Sequence, residues 1–474
     1  MKSWNRLGTW LLGVSGLLLA GLMAYTLFFT GWRSDSGFGM GRDAEGEVES
    51  ARVAIFLPDR HDWLDFGKAA AACSSRQILR VVSERDDALV VESPRTGRRI
   101  RFDRHDVRGV GDTRDEVRRL ADQKPPPIAV VGSTTTVLTV ALAEPLREEA
   151  DAGPVLLIPW ATAVMVQRSD NAQGEARRDP VPLMELDPGR TFRFCPNNRR
   201  LADSVVDCLI HHDQGRLPSR IFLVVDPFDP YSDDLADCFR RAIRGRKPDV
   251  EIVERADAVD LPSFARPLDA SLEPSPTEIG LADSIVSSLD PAEGRTTWAV
   301  LPLQDQPARR MINALRRRVS GRSAPDDPNR RGGSLRVVCG DGIEREALNR
   351  LAGLGGLSIW CASTSSARPT DGGVTDDTQS LAEIASALIW AVDRSASSTP
   401  GPTEIRDALR RIDLGADHPS AFGRGLAFEA NGERRGDPER VLEIKADATR
   451  PLEFTRTVGG TWEQVRTPST APAR

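Results

Sequence analysis

Short apolar runs alternate with longer amphipathic stretches along most of this 474-residue chain. RVAIFLP (52–58) has the unbroken apolar character of a strand buried on both faces. A helical pattern through residues 66–77 follows, then strand patterns near 78–82 and 88–92. The second of these turns back through 94–97 into a further strand at 99–102, which is a hairpin signal. An amphipathic helix over 112–123, the strand PIAVVG (127–132), a helix over 136–150 and the strand VLLIP (155–159) complete a first block. Strands separated by helices of this length predict a parallel, doubly wound sheet.

Residues 167–190 are polar, with Pro and Gly, and read as a surface loop. The rhythm then restarts with TFRF, a helix over 198–211, IFLVVD (221–226), a helix over 233–244 and VEIV (250–253). WAVLPL (298–303), a helix over 307–319, RVVCGD (336–341), a helix from Glu344 and LSIWC (357–361) continue it. Helices over 380–394 and 403–411 and the strands VLEIKA and LEF close the pattern. Residues 318–333 read as a solvated loop and 459–474 as a disordered tail. The prediction is two α/β blocks of similar size, with a ligand between them.

Composition adds bounds. Forty per cent hydrophobic and 28% charged residues describe a globular body with real cores. The formal charge of −6 offers no basic face for nucleic acid. The start of the chain stands apart, because no charged residue occurs between Arg6 and Arg33. About 26 uncharged residues would reach about 39 Å as a helix, enough for a hydrocarbon core of about 30 Å. Lys2 and Arg6 ahead of the apolar run favour a cytoplasmic N-terminus and an exported body. The rival is a cleaved signal peptide, whose best site ends at Ala24 with bulky Leu22 at minus three. The long apolar run favours the uncleaved anchor. Residues 33–50 are Gly-, Ser- and Asp-rich and read as a stalk.

Six cysteines are spread without any CxxC. Cys208 and Cys238 fall in neighbouring helical patterns, and Cys339 and Cys361 in neighbouring strand patterns, so either pair has scope to meet. Buried free thiols are the alternative. No metal spacing is present, and no cofactor is implied. Five histidines include the pair His211–His212 at a helix end, where capping through the helix dipole suffices. There is no HExxH, GxSxG or GxxxxGK[ST]. Asp226, Asp229, Asp233 and Asp234 lack calcium-loop spacing and read as N-capping chemistry. What remains are small polar groups after strands, where open α/β sheets bind ligands. Gly132–Thr136 opens a helix and suits a carboxylate or phosphate. Residues 159–162 (PWAT) follow their strand in the same way. Capping alone is the competing explanation for each.

At these segments the sequence resembles the leucine/isoleucine/valine-binding proteins of bacterial importers, members of the type I periplasmic-binding family. IAVVGSTTT, AEPLREEA, LLIPWAT, TFRFCPNNRRLADSVVD, IFLVVDPFDPYSDDLADCFRRAI, RVVCGDG and GRGLAFEANGERRGDPERVLEIK follow that family's order across residues 51–457. The resemblance implies an α/β fold of two doubly wound parallel-sheet lobes with an interlobe ligand cleft, here preceded by a membrane helix. With the apolar run as an anchor or signal segment at 1–31 and a stalk at 32–50, the resemblance places lobe 1 at 51–194 and 363–436. Lobe 2 falls at 195–362 with final strands at 437–458, and the tail at 459–474.

It also implies ligand contacts. Thr136 takes the place of a serine that holds the ligand carboxylate. Trp160, Ala161 and Thr162 match the segment that binds carboxylate and ammonium. Tyr231 matches a tyrosine closing from the second lobe, Asp341 the carboxylate that pairs with the α-ammonium, and Phe66 an aromatic packed on the ligand side chain. Several positions depart from the family: Thr for Ser at 136, Asp for Glu at 341, Ser232 for Gly, bulky Trp160, and polar Gln304–Asp305 for an aromatic. A simple branched-chain ligand is therefore disfavoured against a more polar amino acid or small acid.

The expectation is an extracytoplasmic, membrane-tethered protein that binds an amino acid or related zwitterion for an ABC permease or as a sensor, and not an enzyme. A tethered scaffold with a degenerate pocket is the alternative.

Overall fold

A computed structural model describes residues 51–465. It excludes 58–59, 108, 134, 149–152, 168–178, 217, 219, 256–272, 290–295, 323–334, 342, 344–356, 364–375, 424, 437–439, 446–451 and 458–459. The proposed anchor, stalk and helix from Glu344 lie outside these residues, as do residues 466–474 of the proposed tail. Among the described residues, no helix is long and apolar enough to cross a membrane.

The apolar runs become the centre strands of two sheets. In the first, β1 (Ala51–Phe56) lies between β4 (Arg99–Arg104) and β5 (Ala129–Gly132), parallel to both. Beyond β5 run β6 (Val155–Ile158) and β9 (Thr191–Arg193), again parallel. The hairpin foreseen in the sequence appends β3 (Ala88–Glu92) and β2 (Arg80–Glu84) antiparallel at the other edge. All four residues of β5 and of β6 are buried, so neither strand has an alternating polar face.

The second sheet has the order β11 (Glu251–Arg255), β10 (Arg220–Val224), β12 (Thr297–Leu301), β13 (Leu335–Cys339) and β14 (Leu357–Ser363), all parallel. β17 (Arg440–Lys445), β18 (Leu452–Arg456) and β19 (Trp462–Gln464) continue it antiparallel.

Helices cover both faces of each sheet. Among them, α1 (Arg60–Ser75) packs with the late helix α8 (Asp376–Arg394) and α9 (Pro402–Leu409) over one face of the first sheet. The chain thus returns to its first lobe after building most of the second. A buried ion pair fixes that return: Arg434, on the segment after α8 and α9, binds Glu383 of α8 and the Phe194 carbonyl. α2 (Val110–Ala121) and α3 (Thr136–Glu148) cover the other face. In the second lobe, α4 (Asn198–His212) and α5 (Pro230–Arg246) share one core. α6 (Pro276–Ser287) and α7 (Asp305–Arg322) share the other.

Three details differ from the sequence reading. The polar stretch 167–190 carries β8 (Val181–Pro182), which pairs with β7 (Met165–Val166), and buries Leu183, Met184 and Leu186. Asp187 and Arg190 go inside with them as an ion pair, which is how so polar a segment tolerates burial. α6 was not foreseen. Part of the expected tail is β19, whose Trp462 is buried against the second lobe. All six cysteines are buried free thiols, although Cys339 and Cys361 face each other in register on β13 and β14.

Candidate ligand-binding site

Four of the seven proposed contact residues stand at the carboxyl ends of the adjacent strands β5 and β6. β5 ends on Gly132, where a Cβ would lie 2.8 Å from the Phe56 carbonyl oxygen and 2.9 Å from the Phe56 Cβ. Only glycine lets the chain turn there. Ser133 follows, and its Oγ accepts the Thr135 N–H at 3.2 Å. Capping of α3 falls to Thr135, whose Oγ1 accepts the Leu138 N–H at 3.3 Å. Thr136, buried at the first position of the helix, is therefore not its cap. The capping explanation applies to its neighbour.

After β6, Trp160 is half-buried and packs against the core beneath α1. Ala161 and Thr162 are buried. The backbone of this segment is held by its surroundings. Cys195 Sγ donates to the Ala161 carbonyl at 3.7 Å and the Asn198 N–H to the Thr162 carbonyl at 2.7 Å. The fully buried Arg193 donates to the Thr162 and Ala163 carbonyls at 3.2 and 2.7 Å. Three polar atoms of this cluster, Thr162 Oγ1, Arg193 Nε and Asn198 Oδ1, are buried with no hydrogen-bond partner among the described residues. The Thr162 hydroxyl, just beyond the carboxyl end of β6, is thus available for a further hydrogen bond.

Across in the second lobe, the loop from β10 to α5 is closed by its own side chains. The Asp226 N–H donates to Ser232 Oγ at 2.8 Å, and the Phe228 N–H to Asp226 Oδ1 at 3.0 Å. Ser232, where the resembling family has glycine, thus has a structural use. Asp229 caps α5 by accepting the Tyr231 N–H at 3.1 Å, and Gln304 donates to the same carboxyl oxygen at 3.3 Å. The polar Gln304 is therefore explained by Asp229. Asp226 and Asp229 are both 2% exposed, and each keeps one carboxyl oxygen without a partner among the described residues.

Tyr231 and Asp341 meet. The Tyr231 hydroxyl donates to Asp341 Oδ1 at 3.0 Å across the space between α5 and the end of β13. Gly340 allows this approach, since a Cβ there would lie 2.5 Å from the Tyr231 hydroxyl oxygen. Burial pushes the half-buried Asp341 carboxyl up to about 6, against the opposing pull of the Tyr231 hydrogen bond. Burial also pushes Asp229 up to about 7, and the neighbouring Asp226 charge adds to that rise. None of these three carboxyls forms an ion pair among the described residues.

Phe66 stands elsewhere. It is fully buried in the first-lobe core, 4.9 Å edge-on from Phe102 and 5.8 Å from Trp63. The acidic run that read as N-capping chemistry divides: Asp229 caps a helix, while Asp234 binds backbone of the first lobe. Among the described residues, no group of three or more His, Cys, Asp and Glu could hold a metal. Asp229 and Gln304 were missed as neighbours because they lie 75 residues apart and meet only in the folded sheet.

No protein-family model and no curated protein matches the chain. Solved structures do. An ABC transporter substrate-binding protein from Desulfitobacterium hafniense in complex with Leu is 15% identical with a TM-score of 0.54 over 85% of this chain and 100% of its own. The branched-chain amino acid transporter substrate-binding protein LivJ from Streptococcus pneumoniae, in complex with isoleucine, is 13% identical with a TM-score of 0.51 over 85% and 100%. A solute-binding protein of an ABC transporter from R. palustris, in complex with benzoate, is 11% identical with a TM-score of 0.56 over 89% and 98%. These neighbours are solute-binding proteins, and the two parallel-sheet lobes of this chain have the type I periplasmic-binding fold that they share.

Proposed function

We propose that this chain is an extracytoplasmic solute-binding protein that takes an amino-acid-like ligand between its lobes, and that it is not an enzyme. The observation that carries this reading is the Tyr231–Asp341 pair at the carboxyl end of the second sheet, whose carboxylate meets no cation among the described residues. A ligand ammonium would supply that charge in a site where an unpaired carboxylate is costly. The first lobe offers the complement. The N-terminus of the 13-residue α3 with Ser133 and Thr136, and the Thr162 hydroxyl, suit a carboxylate. Trp160 and Ala161 would flank it. Among the solved neighbours both amino-acid and benzoate binders occur. The acidic second lobe favours a ligand carrying an ammonium over a simple aromatic acid.

Delivery to an ABC permease, with tethering through the apolar N-terminal segment, completes the proposal. Calorimetry against a panel of amino acids and aromatic acids tests it, with Asp341→Ala and Thr136→Ala as site variants. Loss of binding of an amino acid by about tenfold or more in each is expected. Full affinity in both variants overturns the site.

A scaffold without a ligand is the second reading, and one observation favours it. The carbonyls of Ala161, Thr162 and Ala163 are already engaged by the protein itself. A silent panel together with a stable membrane partner in pull-downs would select it.

A further inference from the structure

Asp234 lies on α5, one helical turn beyond Tyr231, yet it does not serve the second lobe. Its two carboxyl oxygens accept the successive N–H groups of Val164 and Met165, each at 2.8 Å. Those residues belong to the segment that leaves the first-lobe strand β6 and enters β7. Asn198, the first residue of α4, donates its side-chain amide to Asp234 Oδ2 at 2.9 Å. The Cys238 thiol lies 4.0 Å from the same oxygen. Asp234 is 7% exposed. The contact is made by apolar groups as well, because Val164 packs against the core formed by α4 and α5.

We infer that Asp234 is a positioning residue that anchors the first-lobe segment 160–166 to the helix carrying Tyr231. The surrounding bonds explain why one carboxylate suffices. The carbonyls of residues 161–164 are taken by Cys195, Arg193, Asn198 and the Leu183 N–H, with Leu183 and Arg193 from the first lobe and Cys195 and Asn198 from the start of the second. Among the described residues, the N–H groups of 164 and 165 are taken by Asp234. A two-oxygen acceptor on two adjacent N–H donors fixes orientation as well as distance. Segment and helix therefore move together where they touch. Any hinge motion between the lobes pivots about this contact, and Thr162 and Tyr231 keep their relation through it. Nothing about the sequence motif requires an acid here: Asp233 precedes it on the same helix and makes neither bond.

The anchorage stands without any assumption about ligand; only its effect on affinity rests on the proposed binding function. The test is a distance distribution between spin labels on the two lobes of the full-length chain. The six native cysteines are buried, so labels at Asp86→Cys and Asp249→Cys, both exposed in the native chain, report alone. Asp234→Ala should broaden the interlobe distribution about twofold and weaken binding of any ligand found by calorimetry about tenfold. Asp234→Asn keeps one acceptor and should fall between. Asp237→Ala, on the next turn of the same helix and half-exposed, should leave the distribution unchanged. If Asp234→Ala does not fold, judged by circular dichroism, the Asp234→Asn distribution decides. A distribution in the folded Asp234 variants as narrow as in the native chain overturns the anchor, whatever the ligand panel shows. A broadened distribution with no ligand in the panel supports the anchor and counts only against the binding function.

Discussion

Asp229 offers a direct measurement of what the acidic wall costs the fold. Its carboxyl is pushed up from an ordinary 3.8 to about 7, chiefly by burial. The sign follows from linkage. Below pH 3.8 the group is protonated in both folded and unfolded chains, and no cost arises. Between 3.8 and about 7 the unfolded chain ionises while the folded one does not, so stability falls as pH rises. At about 1.4 kcal/mol per pH unit, the accumulated cost is about 4 kcal/mol above pH 7.

Asp229→Asn removes the ionisation and keeps the shape. Asparagine is as good an N-cap as aspartate, and its amide oxygen still accepts from the Tyr231 N–H and from Gln304. The variant should match the native chain near pH 4 and exceed its stability progressively, by about 2–4 kcal/mol at pH 8. Urea unfolding of both proteins at pH 4, 6 and 8 reads the difference. A stability difference that does not change across that range refutes the reasoning, because it would mean the carboxyl is not held protonated by the fold.

Two further substitutions test the core placements. Phe66→Ala should lower unfolding stability by about 3–5 kcal/mol, as for a fully buried aromatic, while leaving ligand affinity within about twofold. A large affinity loss at unchanged stability would instead restore its role as a ligand contact. Glu383→Ala strands Arg434 in the first-lobe core and should cost about 3–5 kcal/mol in urea unfolding, whereas a loss under about 1 kcal/mol would show the pair to be dispensable.

The sheets were legible because their central strands are buried on both faces and so appear as unbroken apolar runs. IFLVV, WAVL and LSIW need no tertiary information to be found. α6 was missed although its signal was present. Ser275 and Glu278 form a reciprocal capping box, the S-x-x-E pattern, but the helix behind it has little amphipathic contrast. The burial of Leu183, Met184, Leu186 and Asp187 had no local signal, since it depends on Asp187 and Arg190 satisfying each other inside the fold. The site shows the same division. Tyr231 and Asp341 were singled out from the order of motifs, and the fold brings these two side chains into contact. Phe66 was drawn from the same order, yet a helix turn places it in the core. The unpartnered oxygens of Asp226 and Asp229, and the reach of Asp234 to another lobe, follow from packing that no spacing encodes.

These carboxyls also determine how binding should respond to protons, and that response separates the ligand classes. Asp341 titrates near 6, so at pH 6 it is about half protonated before ligand arrives. An ammonium placed against it favours the ionised form, lowers its pKa and expels the remaining proton. Affinity should then climb up to about tenfold per pH unit below 6 and level off above it, with protons released on binding. A ligand that is only an anion does the reverse: the carboxyl would have to take up a proton, and affinity would fall as pH rises. Calorimetry at pH 6 in two buffers of different ionisation enthalpy counts those protons directly. Release supports an ammonium-bearing ligand on Asp341. Uptake would show that the second lobe accepts acids by neutralising its own carboxyls, and would favour an acid over an amino acid as the ligand of the proposed site.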